Sequence, residues 1–399
     1  MGDKRLLGLD AARGLAVLGM FAVHVGPDPY RSGAGYLLVA AEARSSALFV
    51  LIAGFSLALS RARTTLSPAL LWRRTLLRCA CLLLLGLGLA SLRPGFLVIL
   101  SFYAVYFLAA EPLLRLRTPQ LAAVAAASVV LGPVLSYLLG PVVGFDTAAH
   151  GEVPTLADLA SPTGLGTALD QLLLTGGYPA LTYLPYLLVG LLLARLAHPQ
   201  RPAAHWLPVA CAGIAAATAG YAGAWLAIER CGGRQRLLAS IAVHQPWALP
   251  TPDPVHTVLA AQEGAIPTTS WHWLLIAEPY SQTPLEILGN AGTGCALIAL
   301  AVAVARLPAA ARLLRPLADV GTMALTLYVA HGLVLALAFD LEDQGGSWSL
   351  LAGFTAAAVL GAAAWQHLWR DSPLRRGPLE WVLHTVVRRI PRPGRVEAA

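Results

Sequence analysis

Along most of the chain, apolar residues run for about 17 to 25 positions before a short polar interval, the length an α-helix needs to cross a bilayer. No sustained two-residue alternation of the kind that builds a membrane barrel is present. About ten runs can be placed, at residues 8–26, 44–60, 73–91, 96–114, 120–140, 178–196, 206–227, 285–305, 318–339 and 349–369. Helices alone satisfy the backbone of such runs in lipid, so the pattern predicts an all-α, polytopic integral membrane bundle of about 10 transmembrane helices. No internal repeat is visible, which leaves the inverted-repeat architecture of many transporters without support.

The polar intervals alternate in charge. With the N-terminus inside, the inner segments receive Lys4 and Arg5, then Arg61, Arg63, Arg73 and Arg74, then Arg115 and Arg117, then Arg195 and Arg201, then Arg306, Arg312 and Arg315. The tail adds Arg370, Arg375, Arg376, Arg388, Arg389, Arg392 and Arg395, whereas the outer segments hold Asp146, Glu152, Asp158, Asp340, Glu342 and Asp343. Positive-inside bias therefore predicts an even number of spans, N-in/C-in. Residues 1–370 read as one transmembrane domain with long outer loops at 141–177 and 228–284, and residues 371–399 as a basic inner tail with a short amphipathic helix. The second loop carries His244, His256 and His272 among Pro246, Trp247, Pro250, Pro252, Pro254, Trp271 and Trp273. That composition suits either an extended lid with stacking faces for a sugar or an interfacial anchor.

Composition agrees with a membrane protein: 57% of residues are hydrophobic, 12% are charged and the mean hydropathy is +0.65. A net charge of +7 raises the question of nucleic acid, but the arginines alternate between loops instead of clustering with aromatics on one face. They report topology, and no nucleic-acid partner is expected. Cys79, Cys81, Cys211, Cys231 and Cys295 have no spacing that holds zinc or a disulfide framework, so no metal is expected.

The stretch Leu9 to His24 puts three ionisable side chains into an apolar helix, where such groups are costly and usually functional. Eleven residues separate Arg13 from His24, about three full turns and a rise of about 16 Å, so both project from nearly the same face. Asp10, one turn before Arg13, falls on that side and can pair with the guanidinium. Two readings follow. In one, Asp10 and Arg13 form a structural ion pair and His24 is a hydrogen-bonded histidine at the helix end. In the other, His24 is a general base or acyl acceptor and Arg13 an anion contact.

Asp28 and Glu42 are near enough in sequence to bond the second ring nitrogen of His24, in the manner of a base and its orienter, and each reads at least as simply as a solvated loop acid. Arg44, at the outer end of the second span, runs against the charge rule and calls for a partner or an anionic ligand. Tyr328 and His331 lie one turn apart on the ninth span and share a face, either lining a tunnel or joined by a hydrogen bond. Asp319 reads as a helix-start acid and Glu111 as a boundary residue.

The motif Leu9-Asp10-x-x-Arg13-Gly14, with His24 eleven residues after Arg13, resembles the opening helix of the transmembrane acyltransferase superfamily, which includes the acyltransferase-three proteins. The stretch Arg44 to Ser56, with Gly177-Tyr-Pro179, Leu325-Thr-x-Tyr328 and Arg376-Gly-Pro-x-Glu380, is similar to the bacterial branch of YeiB-like and heparan-α-glucosaminide N-acetyltransferase-like proteins. The resemblance implies a multi-pass protein of the cell membrane that passes an acyl group, acetyl in the simplest case, from cytosolic acyl-CoA to an extracytoplasmic saccharide or lipid-linked acceptor. It brings acyl-CoA (acetyl-CoA) as co-substrate and no permanently bound cofactor, and it is compatible with a homodimer. His24 matches the catalytic histidine by the acyltransferase-three spacing. The heparan-type enzymes place theirs later, in the loop after this helix, and here no histidine occurs between Val25 and Gly144. The heparan substrate is therefore not implied. The runner-up is a small-molecule transporter, against which stands the charged face on one unbroken helix.

Overall fold

Each predicted span is wholly or partly helical in the computed structural model, which describes residues 7–30, 33–62, 64–141, 152–197, 202–261, 266–338 and 345–390. Among the described residues there is no strand. The bundle comprises α1 (Leu7–Val25), α2 (Arg44–Ala62), α3 (Pro68–Ser91), α4 (Leu100–Leu113), α5 (Thr118–Leu139), α6 (Pro162–Asp170), α7 (Ala180–Leu196) and α8 (Trp206–Trp225). It continues with α9 (Gly233–His244), α10 (Pro254–Ala260), α11 (Pro284–Val304), α12 (Pro308–Thr322), α13 (Ala324–Ala338), α14 (Trp348–Leu368) and α15 (Pro378–Arg388). Local chemistry sets several starts: Ser67, Thr283 and Ser347 accept from the first turns of α3, α11 and α14, and prolines occupy the first positions of α3, α11 and α15. Several residues used above to assign inner and outer sides, Lys4, Arg5, Arg63, Asp146, Arg201, Asp340, Glu342, Asp343, Arg392 and Arg395, lie outside the described residues.

Among the described residues seven helices are long and apolar enough to cross a membrane, and up to nine spans result if each of two bent pairs counts as one. The molecule is thus a helical membrane protein. The pairs differ from the straight runs expected: α6 with its π-type extension meets α7 at 53°, and α12 meets α13 at 67°. At 14 residues, α4 is shorter than a full crossing. The second break corrects two expectations. Helix α12 begins ten residues before the predicted span, so Asp319 stands near its end and not at a helix start. The ninth span, expected as one run over 318–339, is broken between α12 and α13.

Helix α1 is rich in small residues and packs against α2, α11, α12, α13 and α14. Where it crosses α12 the backbones nearly touch: a Cβ on Gly14 would lie 1.9 Å from Leu317 O, and one on Gly321 1.8 Å from Asp10 O. That crossing sets Asp10 and Arg13 against the end of α12.

Residues 226–283 correct another expectation. The segment is not an extended lid but a folded cap, containing α9, α10 and a 3-10 turn at Trp271–Leu275. Leu237, Ile241, Val258, Ile266 and Trp273 form a core separate from that of the bundle. In the sequence these apolar positions are dispersed among prolines and polar residues.

Candidate active site

At the end of α1, the Nδ1 atom of His24 lies 2.9 Å from Nε2 of His331 on α13. One ring must donate and the other accept, so the two imidazoles share a single proton along that line. Their walls are aromatic. Phe96, in the turn between α3 and α4, stacks on His24 at 4.0 Å between centroids and on His331 at 4.9 Å. Phe21 closes on His331 at 4.5 Å, and Tyr328 meets it edge-on at 5.3 Å. The Tyr328 hydroxyl accepts from the Ile99 N–H at 3.2 Å, which ties α13 to the start of α4. His331 is buried, whereas His24 is part-exposed.

This arrangement differs from the expected one. The nitrogen assigned to Asp28 or Glu42 is held by His331, while Asp28 Oδ1 accepts from the Tyr30 N–H at 2.8 Å and Glu42 Oε2 from the Tyr30 hydroxyl at 2.8 Å. Tyr328 and His331 do share a face, but the tyrosine bonds to the backbone and the histidine to His24. Phe96 was not singled out in the sequence, where only its Pro94-Gly95 turn marks the place.

Toward the start of α1, Arg13 donates to Asp10 Oδ1 at 2.9 Å and to Ser56 Oγ of α2 at 2.8 Å. The expected pair is therefore present. Arg13 also lines a cavity of about 360 Å³ with Arg78, Tyr103, Arg376, Glu380 and His384. The field there is positive: burial lowers the pKa of His384, and the charges of Arg388, Arg376, Arg78 and Arg74 lower it further. A second cavity, of about 440 Å³ and almost wholly apolar, touches the far side of His331 between α1, α13 and α14.

Arg44 has partners that the sequence did not reveal. Its Nε donates to the Tyr221 hydroxyl and its Nη1 to Val39 O, each at 2.8 Å, with the guanidinium over the Tyr221 ring. Tyr221 passes a hydrogen bond of 2.6 Å to Asn290, and Asn290 donates to Tyr186 and Glu286. Glu286 also accepts from the backbones of Tyr280 and Gln282. The cation at the start of α2 is thus wired across α8 and α11. Glu111, expected as a boundary residue, is buried and paired with Arg61, and it accepts from Thr75 Oγ1 at 2.9 Å.

Among the described residues no three of His, Cys, Asp and Glu converge as metal ligands would, and the five cysteines are free and scattered. No curated protein and no solved structure matches the chain. Two family models do. Residues 255–389 match a family described as a protein of unknown function, DUF418, and residues 5–228 match the catalytic domain of heparan-alpha-glucosaminide N-acetyltransferase. The second match covers more than half of the chain, and together they span both the cationic cavity and the imidazole pair: the protein belongs to the heparan-alpha-glucosaminide N-acetyltransferase-like, YeiB-like family of helical membrane proteins.

Proposed function

We propose that the protein is an acyltransferase of the cell membrane, moving an acyl group, acetyl in the simplest case, from cytosolic acyl-CoA to an extracytoplasmic sugar, glycolipid or other hydroxyl or amine acceptor. One observation carries the reading: a single helix holds Arg13 on a cationic cavity near its start and His24 in an imidazole pair at its end. The rise between them, about 16 Å, suits an extended pantetheine arm. Paired guanidinium donors match phosphate oxygens, so Arg13, Arg78 and Arg376 would hold the charged end of the donor.

At the other end, His24 has one nitrogen in the pair and Nε2 for chemistry. If Nδ1 donates to His331, Nε2 carries the lone pair and is the base. The acceptor's O–H or N–H loses its proton to Nε2 as its oxygen or nitrogen attacks the thioester carbonyl. The C–S bond then breaks, and the thiolate leaves as CoA thiol once protonated. An acyl-histidine route, with Nε2 attacking first, uses the same nitrogen. The cavity shared by Arg13 and α15 also bears on topology, because two elements at one end of the bundle need an even number of crossings between them. Nine spans become ten when the short α4 is counted.

A carrier is the second reading, favoured by the break between α12 and α13 beside Arg13. Acyl-CoA binding separates the two. In lipid nanodiscs, acetyl-CoA is expected to raise the melting temperature saturably, and the Arg78→Gln/Arg376→Gln double variant to lose the shift. Absence of any shift with acetyl-CoA and longer acyl-CoAs contradicts the enzyme reading, as does solute uptake by proteoliposomes with no thioester consumed.

A further inference from the structure

Two short motifs from the sequence, Leu325-Thr-x-Tyr328 and Arg376-Gly-Pro-x-Glu380, meet in the fold. The break after α12 leaves the first N–H groups of α13 without partners in their own helix. Glu380 supplies them: one carboxylate oxygen accepts from the Leu325 N–H at 2.8 Å and the Thr326 N–H at 3.2 Å, and the other from the Thr326 hydroxyl at 2.5 Å. Thr326 Oγ1 in turn accepts from the Leu379 N–H at 3.1 Å, so each helix start caps the other.

Gly377 makes the fold-back possible. Its φ is +106°, and a Cβ there would fall 2.2 Å from Glu380 Oε2. The other side of the break is held as well, because Gln366 of α14 bonds Thr322 at the end of α12 and accepts from Arg375 Nε at 2.9 Å. The carboxylate is part-buried, which disfavours its charge, and its three donors offset that cost.

We infer that Glu380 is a positioning residue: by capping the start of α13 it fixes the height and rotation of the helix that carries Tyr328 and His331, and through His331 the orientation of His24. Tyr328 lies two residues beyond the capped Thr326 and His331 five. The catalytic part of this inference rests on the acyltransferase reading; the structural part does not.

The experiment compares wild type, Glu380→Ala, the conservative Glu380→Gln and Thr326→Val in nanodiscs, with three readouts. Hydrogen exchange of the Leu325 and Thr326 amides is expected to quicken by about tenfold in Glu380→Ala and to stay near wild type in Glu380→Gln. Spin labels at Leu15 of α1 and Leu333 of α13, both exposed, are expected to give one narrow distance in wild type and a shifted or broadened one in Glu380→Ala. Release of CoA thiol from acetyl-CoA, with water as the acyl acceptor and acetate as the second product, is expected to lose about tenfold or more in kcat per folded molecule, with KM changed by about twofold or less. Unchanged exchange and distances overturn the clasp whether or not the protein turns over acyl-CoA. Loosened α13 with kcat unchanged overturns the positioning role. A wild type that releases no thiol fails the acyltransferase reading alone, and the exchange and distance readouts still decide whether Glu380 places α13.

Discussion

The His24–His331 pair and the Arg44–Tyr221–Asn290–Glu286 network are both polar groups set among apolar helices, yet they are bonded in opposite ways. The network is closely bonded: Glu286 accepts from two backbone N–H groups and Asn290, and Asn290 also meets Tyr186 and Tyr221. The imidazole pair makes one bond between its members, and its walls are the rings of Phe21, Phe96 and Tyr328. Buried polar groups that brace a fold satisfy one another, whereas a base must keep a nitrogen for its substrate. The difference suits the network to stability and, on the acyltransferase proposal, the pair to chemistry.

The largest effect expected to break this comparison lies in the network. Glu286→Ala removes the acceptor from Tyr280 N, Gln282 N and Asn290, and buried donors left unpaired cost about 1–3 kcal/mol each. A loss of roughly 3 kcal/mol or more in unfolding free energy in micelles is expected; a change under about 1 kcal/mol would remove the network from the stability account. Next, His331→Ala should lower thioester turnover per folded molecule by about 10- to 100-fold, and His331→Gln, which can still accept from His24, should recover part of it. Equal turnover in all three proteins would show that His331 does not orient the base. A smaller effect is expected for Tyr221→Phe, about 1 kcal/mol from the hydroxyl shared by Arg44 and Asn290, with turnover unchanged.

The smallest is a pH dependence. Burial raises the pKa of Glu380 above its ordinary value of 4.5, and the bonds from Thr326 and Leu325 pull it partly back. Between 4.5 and the raised value the folded protein holds the proton more tightly than the unfolded chain. This contribution to stability is therefore fully present below 4.5 and is lost as pH rises through the raised value. Comparing unfolding across that window, Glu380→Gln should show a flatter slope than wild type; parallel slopes would show that the carboxylate does not titrate there.

Much of the fold could be read from the sequence because it rests on local periodicity. The run Leu9 to His24 predicted a helix, and the one-turn spacing of Asp10 and Arg13 predicted their contact. The apolar runs located the helices, although the bends at α6–α7 and α12–α13 were hidden because each falls at a break of only a few residues. The partner of His24 was out of reach for a different reason: it lies 307 residues away, and nothing local distinguishes it from Asp28 or Glu42. Phe96 has a similar cause, being one aromatic in a turn whose neighbour is fixed only by tertiary packing. The cap kept its core concealed, since Leu237, Ile241, Val258 and Trp273 are spread over three short elements.

On the acyltransferase proposal a thioester held by the cationic cavity reacts at His24, and the sharpest check is release of CoA thiol from acetyl-CoA, with water as the acyl acceptor, by wild type and His24→Ala at matched folded amounts in nanodiscs. His24→Ala is expected to lose at least about 100-fold of the thiol release while acetyl-CoA stabilises it as much as wild type. Equal thiol release from both proteins would rule His24 out as the reacting base.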